Sequence, residues 1–308
     1  MPESTMSISA KLRSTMLKKC AMVLLLLCVA VPVFAEENAD VFSMSGQGTY
    51  GFYSGSMNRD NLYSEKLNLT YAHGAEYGGG LSVAGLHIYM KSPNDDINDV
   101  NVGGTIYWTP KMSSGGFVGA RVSVLRVGSS DDNSDDTYIP YVSLIYKSSD
   151  LSKYLDLGYA RTEFIDSTAN QYTLTGGISL FNGWVWSQIR LYFIDLTKKV
   201  SDKGNVFAAE ERLTYYVIPK KLDVSLYGLA GRRIYAYDPD LNSSYNLSHI
   251  QTGSAGLSAN YNFTKNFAVY GDVTHELYKQ ITYAASVNKN IEDNYGVTYY
   301  TAGVRFTF

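Results

Sequence analysis

The side chains able to do chemistry in this chain are isolated charges set into segments that alternate in period two. Lys66, His87, Arg121, Arg190, Arg212, Arg233 and Arg305 supply cations, and Asp156, Glu210, Asp223, Asp272 and Glu276 supply carboxylates, all expected on the polar row of their segments. Inside a closed sheet such rows either sort solutes by charge or pair off as an Arg–carboxylate network that stiffens the wall. The five arginines favour anionic solutes, and Tyr107, Tyr141, Trp184, Trp186, Tyr192, Tyr227 and Tyr270 on the same rows offer faces for sugar rings. Catalytic geometry is thin by comparison. General-base chemistry needs partners within hydrogen-bond reach. The nearest approach, Asp272-Val-Thr-His275, puts acid and imidazole on opposite faces of a strand. The acidic run 129–136, with Asp131, Asp132, Asp135 and Asp136, would suit a hard cation, but it lacks the EF-hand spacing with its central Gly and closing Glu and reads as a solvated loop.

The elements that must position these residues are strands. With 27 Tyr, 27 Gly and only 7 Pro, the composition suits β-structure. Fourteen segments of tilted-strand length are expected near 46–54, 65–73, 80–90, 101–109, 116–127, 137–147, 154–163, 170–181, 184–195, 206–218, 222–233, 250–263, 267–277 and 297–308. The last is the clearest: Tyr300, Ala302, Val304, Phe306 and Phe308 alternate with Thr301, Gly303, Arg305 and Thr307. Segment 250–263 sets Ala255, Leu257, Ala259 and Tyr261 against Ser254, Gly256, Ser258 and Asn260. In 80–90, Leu81 and Val83 fall on the opposite parity from Leu86 and Ile88, which predicts a β-bulge there. Connections alternate between short (182–183, 219–221, 264–266) and long polar ones (91–100, 128–136, 196–205, 234–249, 278–296). A soluble sandwich has no reason to keep that alternation; a membrane barrel does. Either 234–249 or 278–296 is long enough to fold into the lumen.

The N-terminus reads as a removable leader. Lys18 and Lys19 precede the apolar run 21–31, and Val33-Phe34-Ala35 precedes Glu36, so cleavage is expected between Ala35 and Glu36. Met16 makes the more ordinary start, which leaves 1–15 as an early start or a long basic region. Both cysteines, Cys20 and Cys28, lie in the leader, so disulfides and thiolate metal sites are excluded from 36–308. Removing Lys11, Arg13, Lys18, Lys19 and Glu3 with the leader leaves 22 basic and 28 acidic residues, a net charge of −6. Such a chain offers no general support for nucleic-acid binding.

Leader, strand alternation and the Phe308 ending together resemble the bacterial outer-membrane β-barrel superfamily, and the strand count is similar to the monomeric, fourteen-stranded porins of the OmpG type. The resemblance spans 36–308 and is architectural. It implies an all-β, transmembrane, antiparallel up-and-down barrel of about fourteen strands, with twelve as the alternative, integral to the Gram-negative outer membrane. It implies contact with outer-membrane lipid and lipopolysaccharide, and reading of Tyr300, Ala302, Val304, Phe306 and Phe308 by the barrel-assembly machinery. It further implies a monomer without cofactors that passes small hydrophilic solutes, anions and sugars among them, by passive diffusion. A non-conducting adhesin, receptor or structural barrel stays open as the alternative. The enzymes of the superfamily fit less well. The outer-membrane phospholipase uses His and Ser two residues apart, and none of His73, His87, His249 and His275 has Ser at that distance. The Asp-x-His of the omptin proteases is also missing. FadL-type transporters share the strand number, but residues 36–45 leave little room for their N-terminal hatch.

Overall fold

A computed structural model of the chain describes residues 40–165, 167–200, 203–244, 249–284 and 289–308. The expected leader and its Ala35–Glu36 cleavage point lie outside the described residues. Fourteen strands form one closed antiparallel barrel: β1 (Asp40–Ser54), β2 (Arg59–His73), β3 (Tyr77–Met90), β4 (Ile97–Trp108), β5 (Phe117–Ser129), β6 (Thr137–Lys147), β7 (Lys153–Glu163), β8 (Thr168–Leu180), β9 (Val185–Val200), β10 (Lys203–Ile218), β11 (Leu222–Arg233), β14 (Ile250–Asn262), β15 (Phe267–Ala284) and β16 (Lys289–Thr307). Between β11 and β14 a two-residue hairpin, β12 (Tyr237–Asp238) with β13 (Ser243–Ser244), forms a separate small sheet. β1 closes on β16 in continuous register from Ser43↔Thr307 to Ser54↔Gly296. Closure gives every barrel strand two partners, so no row of backbone N–H and C=O groups is left open.

Alternation decides the two faces. Leu81, Ile106, Leu144, Leu226 and Leu257 are each more than half exposed, on the outside of the barrel. Apolar surface of that extent is rare on proteins that live in water, and it matches a band facing lipid. Exposed aromatics flank the band. Trp108, Tyr146, Phe181, Trp184, Tyr215, Phe263 and Phe306 stand at the short-turn end, and Tyr50, Phe52, Tyr138, Tyr172 and Phe207 toward the loop end. Rings at both rims suit the two membrane–water interfaces. Among the described residues no helix is long and apolar enough to cross a membrane.

Three expectations change. No bulge separates Leu81 and Val83 from Leu86 and Ile88: β3 pairs β4 without a register break from Tyr77↔Trp108 to Ile88↔Ile97, and the one shift against β2 lies later, between Leu62↔Ile88 and Arg59↔Met90. Leu81 and Val83 face out, while Leu86 and Ile88 face in because the loop end of the lumen is itself apolar. The segments 196–205 and 278–296 are mostly strand. β15 and β16 stay paired as far as Ala284↔Lys289, and Lys279 meets Glu292 at 2.7 Å across that extension. Opposite charges on diagonal cross-strand positions support a ladder beyond the bilayer.

The core lies inside the barrel at the loop end. Tyr53, Leu62, Ile88, Tyr278, Tyr295 and Val297 form one cluster. Leu125, Val127, Ile139, Tyr141, Ala160 and Tyr237 form a second. A third gathers Phe164, Ala169, Ile194, Leu196, Val206 and Ile250 around Ile234, Tyr235 and Ala236. Two of the three thus contain residues of the 234–249 connection. The β11–β14 register breaks between Ala230 and Arg233, beside Gly231 at φ +109. A Cβ there would stand 2.5 Å from the Phe207 carbonyl oxygen, so this bulge requires glycine. Beyond it the chain is buried through Pro239.

Candidate functional site in the lumen

Segment 234–244 crosses the lumen, and its contacts follow from its residue types. The apolar start, Ile234-Tyr-Ala-Tyr237, is anchored by rings: Tyr235 stacks on Phe164 at 4.1 Å, and Tyr237 leans on Tyr141 at 5.2 Å. Gln171 of β8 then treats Tyr237 as a strand partner. Its amide donates to the Tyr237 carbonyl at 2.7 Å and accepts from the Tyr237 N–H at 2.8 Å. The tip is tied by side chains from four strands. Arg190 meets Asp238 at 3.2 Å and also pairs with Asp240. Arg121 reaches Asp240 and the Pro239 carbonyl, both at 3.4 Å. Lys66 donates to the Leu241 carbonyl, and Asn242 donates to Ser82 at 3.2 Å. Gly103 makes room for this last contact, because a Cβ there would sit 2.3 Å from the Asn242 amide. Within the tip, Asp238 accepts the N–H groups of Asp240 and Leu241 at 2.9 and 3.2 Å. Confinement alone would raise the Asp240 carboxyl; Arg190 and Arg121 outweigh it and hold it at about 2, so the tip is anionic at neutral pH.

The tip separates two spaces. The larger, about 1570 Å³, opens toward the short-turn end and is lined by small polar residues of β1, β2, β14, β15 and β16, including Ser43, Ser45, Gln47, Asn68, Ser254 and Asn260. The smaller, about 390 Å³, lies against β6, β7 and β9, where Lys147, Tyr154 and Trp186 line it. Asp240 borders both.

The expected lumenal charges divide between these surroundings. Arg121 is held by Asp156 at 2.6 Å and Tyr154 at 2.7 Å, and Tyr141 also donates to Asp156 at 3.1 Å. Arg233 contacts Glu210 at 3.4 Å, Tyr192 at 3.2 Å and Gln251 at 2.8 Å. Arg121, Arg190 and Arg233 are therefore paired with carboxylates. Arg212, Arg305, Asp223, Asp272 and Glu276 line the larger cavity with neutral partners. Arg212 lies 4.6 Å over the Tyr227 ring, Arg305 donates to Asn260 at 3.1 Å, and Asp223 accepts from Asn260 at 3.0 Å. Asp272 accepts from Tyr227 and Thr274, and Glu276 from Tyr278.

His87 is placed elsewhere than expected. It shares the outward parity of Leu81 and Val83, meets Asn98 at 2.6 Å and Asp96 at 3.3 Å, and is not among the residues lining the cavities. The reason is that β3 keeps one register against β4 from Tyr77 to Ile88, which holds residue 87 on the outward row. Trp184 likewise stands exposed at the short-turn rim beside Tyr215 rather than in the lumen. Asp272 faces the larger cavity, whereas His275 sits on the outward row and contacts Thr298 at 2.9 Å. In the 129–136 loop, Asp136 pairs with Arg126 at 2.8 Å and Asp135 accepts the Ser129 N–H at 2.9 Å. Among the described residues no group of three or more His, Cys, Asp or Glu could hold a metal. The residues that sequence reasoning missed are Gln171, Tyr237, Asp238, Asp240 and Asn242. One signal was available: the apolar pattern Ile234-Tyr-Ala-Tyr237 is out of place in a solvated loop.

No protein-family model matches the chain, and no curated protein matches it. Solved structures do. One is the deltaS2 mutant of TodX, a monoaromatic hydrocarbon channel of Pseudomonas putida, at 10% identity and a TM-score of 0.56 over 88% of this chain and 90% of that one. A Pseudomonas aeruginosa FadL homologue follows at 10% identity and 0.51, covering 87% and 89%. The outer membrane protein Omp33 of Acinetobacter baumannii gives 13% and 0.47, covering 87% and 99%. At these identities the likeness speaks to the fold. With fourteen strands closed into one antiparallel barrel, an outward apolar band and aromatic rims, the chain has the fold of a transmembrane β-barrel.

Proposed function

We propose that this barrel is an outer-membrane channel for passive diffusion of small hydrophilic solutes, with segment 234–244 as its constriction. The observation that supports this best is the wide polar cavity of about 1570 Å³ running from the short-turn mouth to the Asp238–Asn242 tip. Its wall of hydroxyls, amides and separated charges can exchange hydrogen bonds with a solute without holding it tightly, as conduction requires. Arg212 and Arg305 line this cavity without a carboxylate partner and can attract anions, whereas Arg121, Arg190 and Lys66 are engaged by the tip. The test is conductance of the refolded 36–308 chain in a planar bilayer under a salt gradient. Discrete open currents, with a reversal potential on the anion side, are expected. A folded barrel that never conducts would overturn the reading.

A second reading, a non-conducting surface or structural barrel, draws on the three apolar clusters that fill the loop end of the lumen. Silence in the bilayer, even after the tip is removed, would favour it. We further propose that Tyr300, Ala302, Val304, Phe306 and Phe308 are read during assembly and that the barrel works as a monomer among outer-membrane lipids. Deleting Phe308 should lower the amount inserted into the outer membrane, and unchanged levels would sink that role.

A further inference from the structure

The tip behaves as a ligand already in place. Arg190 and Arg121 are oriented by groups of the barrel wall as well as by the tip. Arg190 Nε donates to Thr175 Oγ1 at 3.0 Å, and Arg121 Nη2 donates to Asp156 at 2.6 Å. Their remaining N–H groups turn to the tip. The Asp240 carboxylate bridges the two guanidinium groups, one oxygen to each, and Asp238 takes a further N–H of Arg190 at 3.2 Å. Arg190 has a side chain only 4% exposed, so this is an enclosed pair of cations with fork geometry suited to carboxylates. The two carboxylates belong to residues two apart in the chain and converge on one guanidinium, as the two ends of a short dicarboxylate would. Space for a replacement exists on both sides, since Asp240 borders the larger and the smaller cavity.

We infer that Arg121 and Arg190 form a binding site for small dicarboxylates, which the chain's own Asp238 and Asp240 occupy when the lumen is closed. Solute and tip then compete for the same guanidinium groups, and entry of the solute releases the constriction. The inference rests on the channel reading above. A ligand that binds only the released form shifts the balance by its differential affinity. The tip is tethered, so it competes at an effective concentration on the order of millimolar, and solute is needed at that level or above.

The absence of cysteine from 36–308 allows a direct test. Asn242 is buried at the tip, so the thiol of Asn242→Cys in the refolded barrel should react slowly with a maleimide in chloride. Succinate at tens of millimolar, at matched ionic strength, should raise that rate about tenfold, and acetate should do less. In Asn242→Cys with Arg190→Gln the rate should be high from the start and indifferent to succinate. Trp186, which shares the smaller cavity with Asp240, gives a readout with the tip unaltered. In a Trp108→Phe, Trp184→Phe background its emission should shift with succinate and not with chloride. Labelling and emission that treat succinate as chloride would overturn the site, as would a succinate effect that survives Arg190→Gln. Parallel bilayer recordings separate the two readings. A barrel that responds to succinate yet never conducts sinks the channel and keeps the site. A conducting barrel indifferent to succinate does the reverse.

Discussion

The two walls of the lumen obey one alternation rule and reach opposite results. Along β1, β2 and β14 the inward positions are short and polar, as in Ser43, Ser45, Ser254 and Ser258, and a cavity of about 1570 Å³ remains beside them. Along β5–β9 they include long or aromatic side chains, as in Arg121, Tyr141, Gln171, Arg190 and Tyr192, and the inserted segment packs against these. Backbone closure sets the width of a barrel through strand number. Side-chain size on the inner row, and the partners it offers a loop, set how much of that width stays open. The segment lies against the wall that can pair its Asp238 and Asp240 carboxylates and satisfy the Tyr237 backbone groups, and the Ser-lined wall stays open.

That contrast can be broken, most strongly by removing its cause. Deleting residues 236–243 should merge the two cavities and raise single-channel conductance several-fold; an unchanged conductance would place the constriction elsewhere. Next in size, Asp238→Asn with Asp240→Asn leaves Arg190 without its carboxylate partners, a loss of about 3 kcal/mol for a buried ion pair broken on one side. More frequent opening of otherwise similar channels is the expected record, and unaltered opening would mean that the rings of Tyr235 and Tyr237 hold the segment alone.

Acid sharpens the comparison from the packed end. Burial, with Arg59 adding to it, lowers the His249 imidazole to about 3, and the ring contacts the Tyr295 hydroxyl at 2.6 Å. A histidine with a folded-state value below its unfolded one, about 6.5, leaves stability intact above that value and erodes it as pH falls toward 3. Thermal unfolding followed from pH 7 to pH 4 should show a falling midpoint, and His249→Gln should flatten that fall; equal slopes would mean other groups carry it. The smallest effect is expected on the wet wall. Arg212→Gln and Arg305→Gln should each move the reversal potential slightly toward cations, because exposed, separated charges act weakly through salt. A shift of the same size from Arg233→Gln would contradict the division between paired and available cations.

Much of this was legible in the sequence. The strand count, the closing β16 with Thr301, Gly303, Arg305 and Thr307 inward, and the short connections follow from period-two pattern and turn spacing. Ambiguity arose where the pattern served a different neighbour. The mixed parity of Leu81, Val83, Leu86 and Ile88 leaves the face of that segment ambiguous in sequence, and here Leu86 and Ile88 face a lumen lined at that end by Leu62, Tyr278 and Val297. His87, between them, takes the outward side. The same cause lengthened β15 and β16, since a ladder can continue above the bilayer once hydrophobicity no longer marks it.

The sequence by itself determined a closed barrel and its lipid face. Strands with alternating rows can satisfy their backbone in a bilayer only by pairing strand to strand until the sheet meets itself. What the lumen holds was decided by tertiary structure alone. Asp240 lies 50 residues from Arg190 and 119 from Arg121 along the chain, on no shared strand and in no local motif. They meet because closure brings β5 and β9 to face the β11–β14 connection, and because buried carboxylates must find cations once the apolar start of that connection has carried them inside.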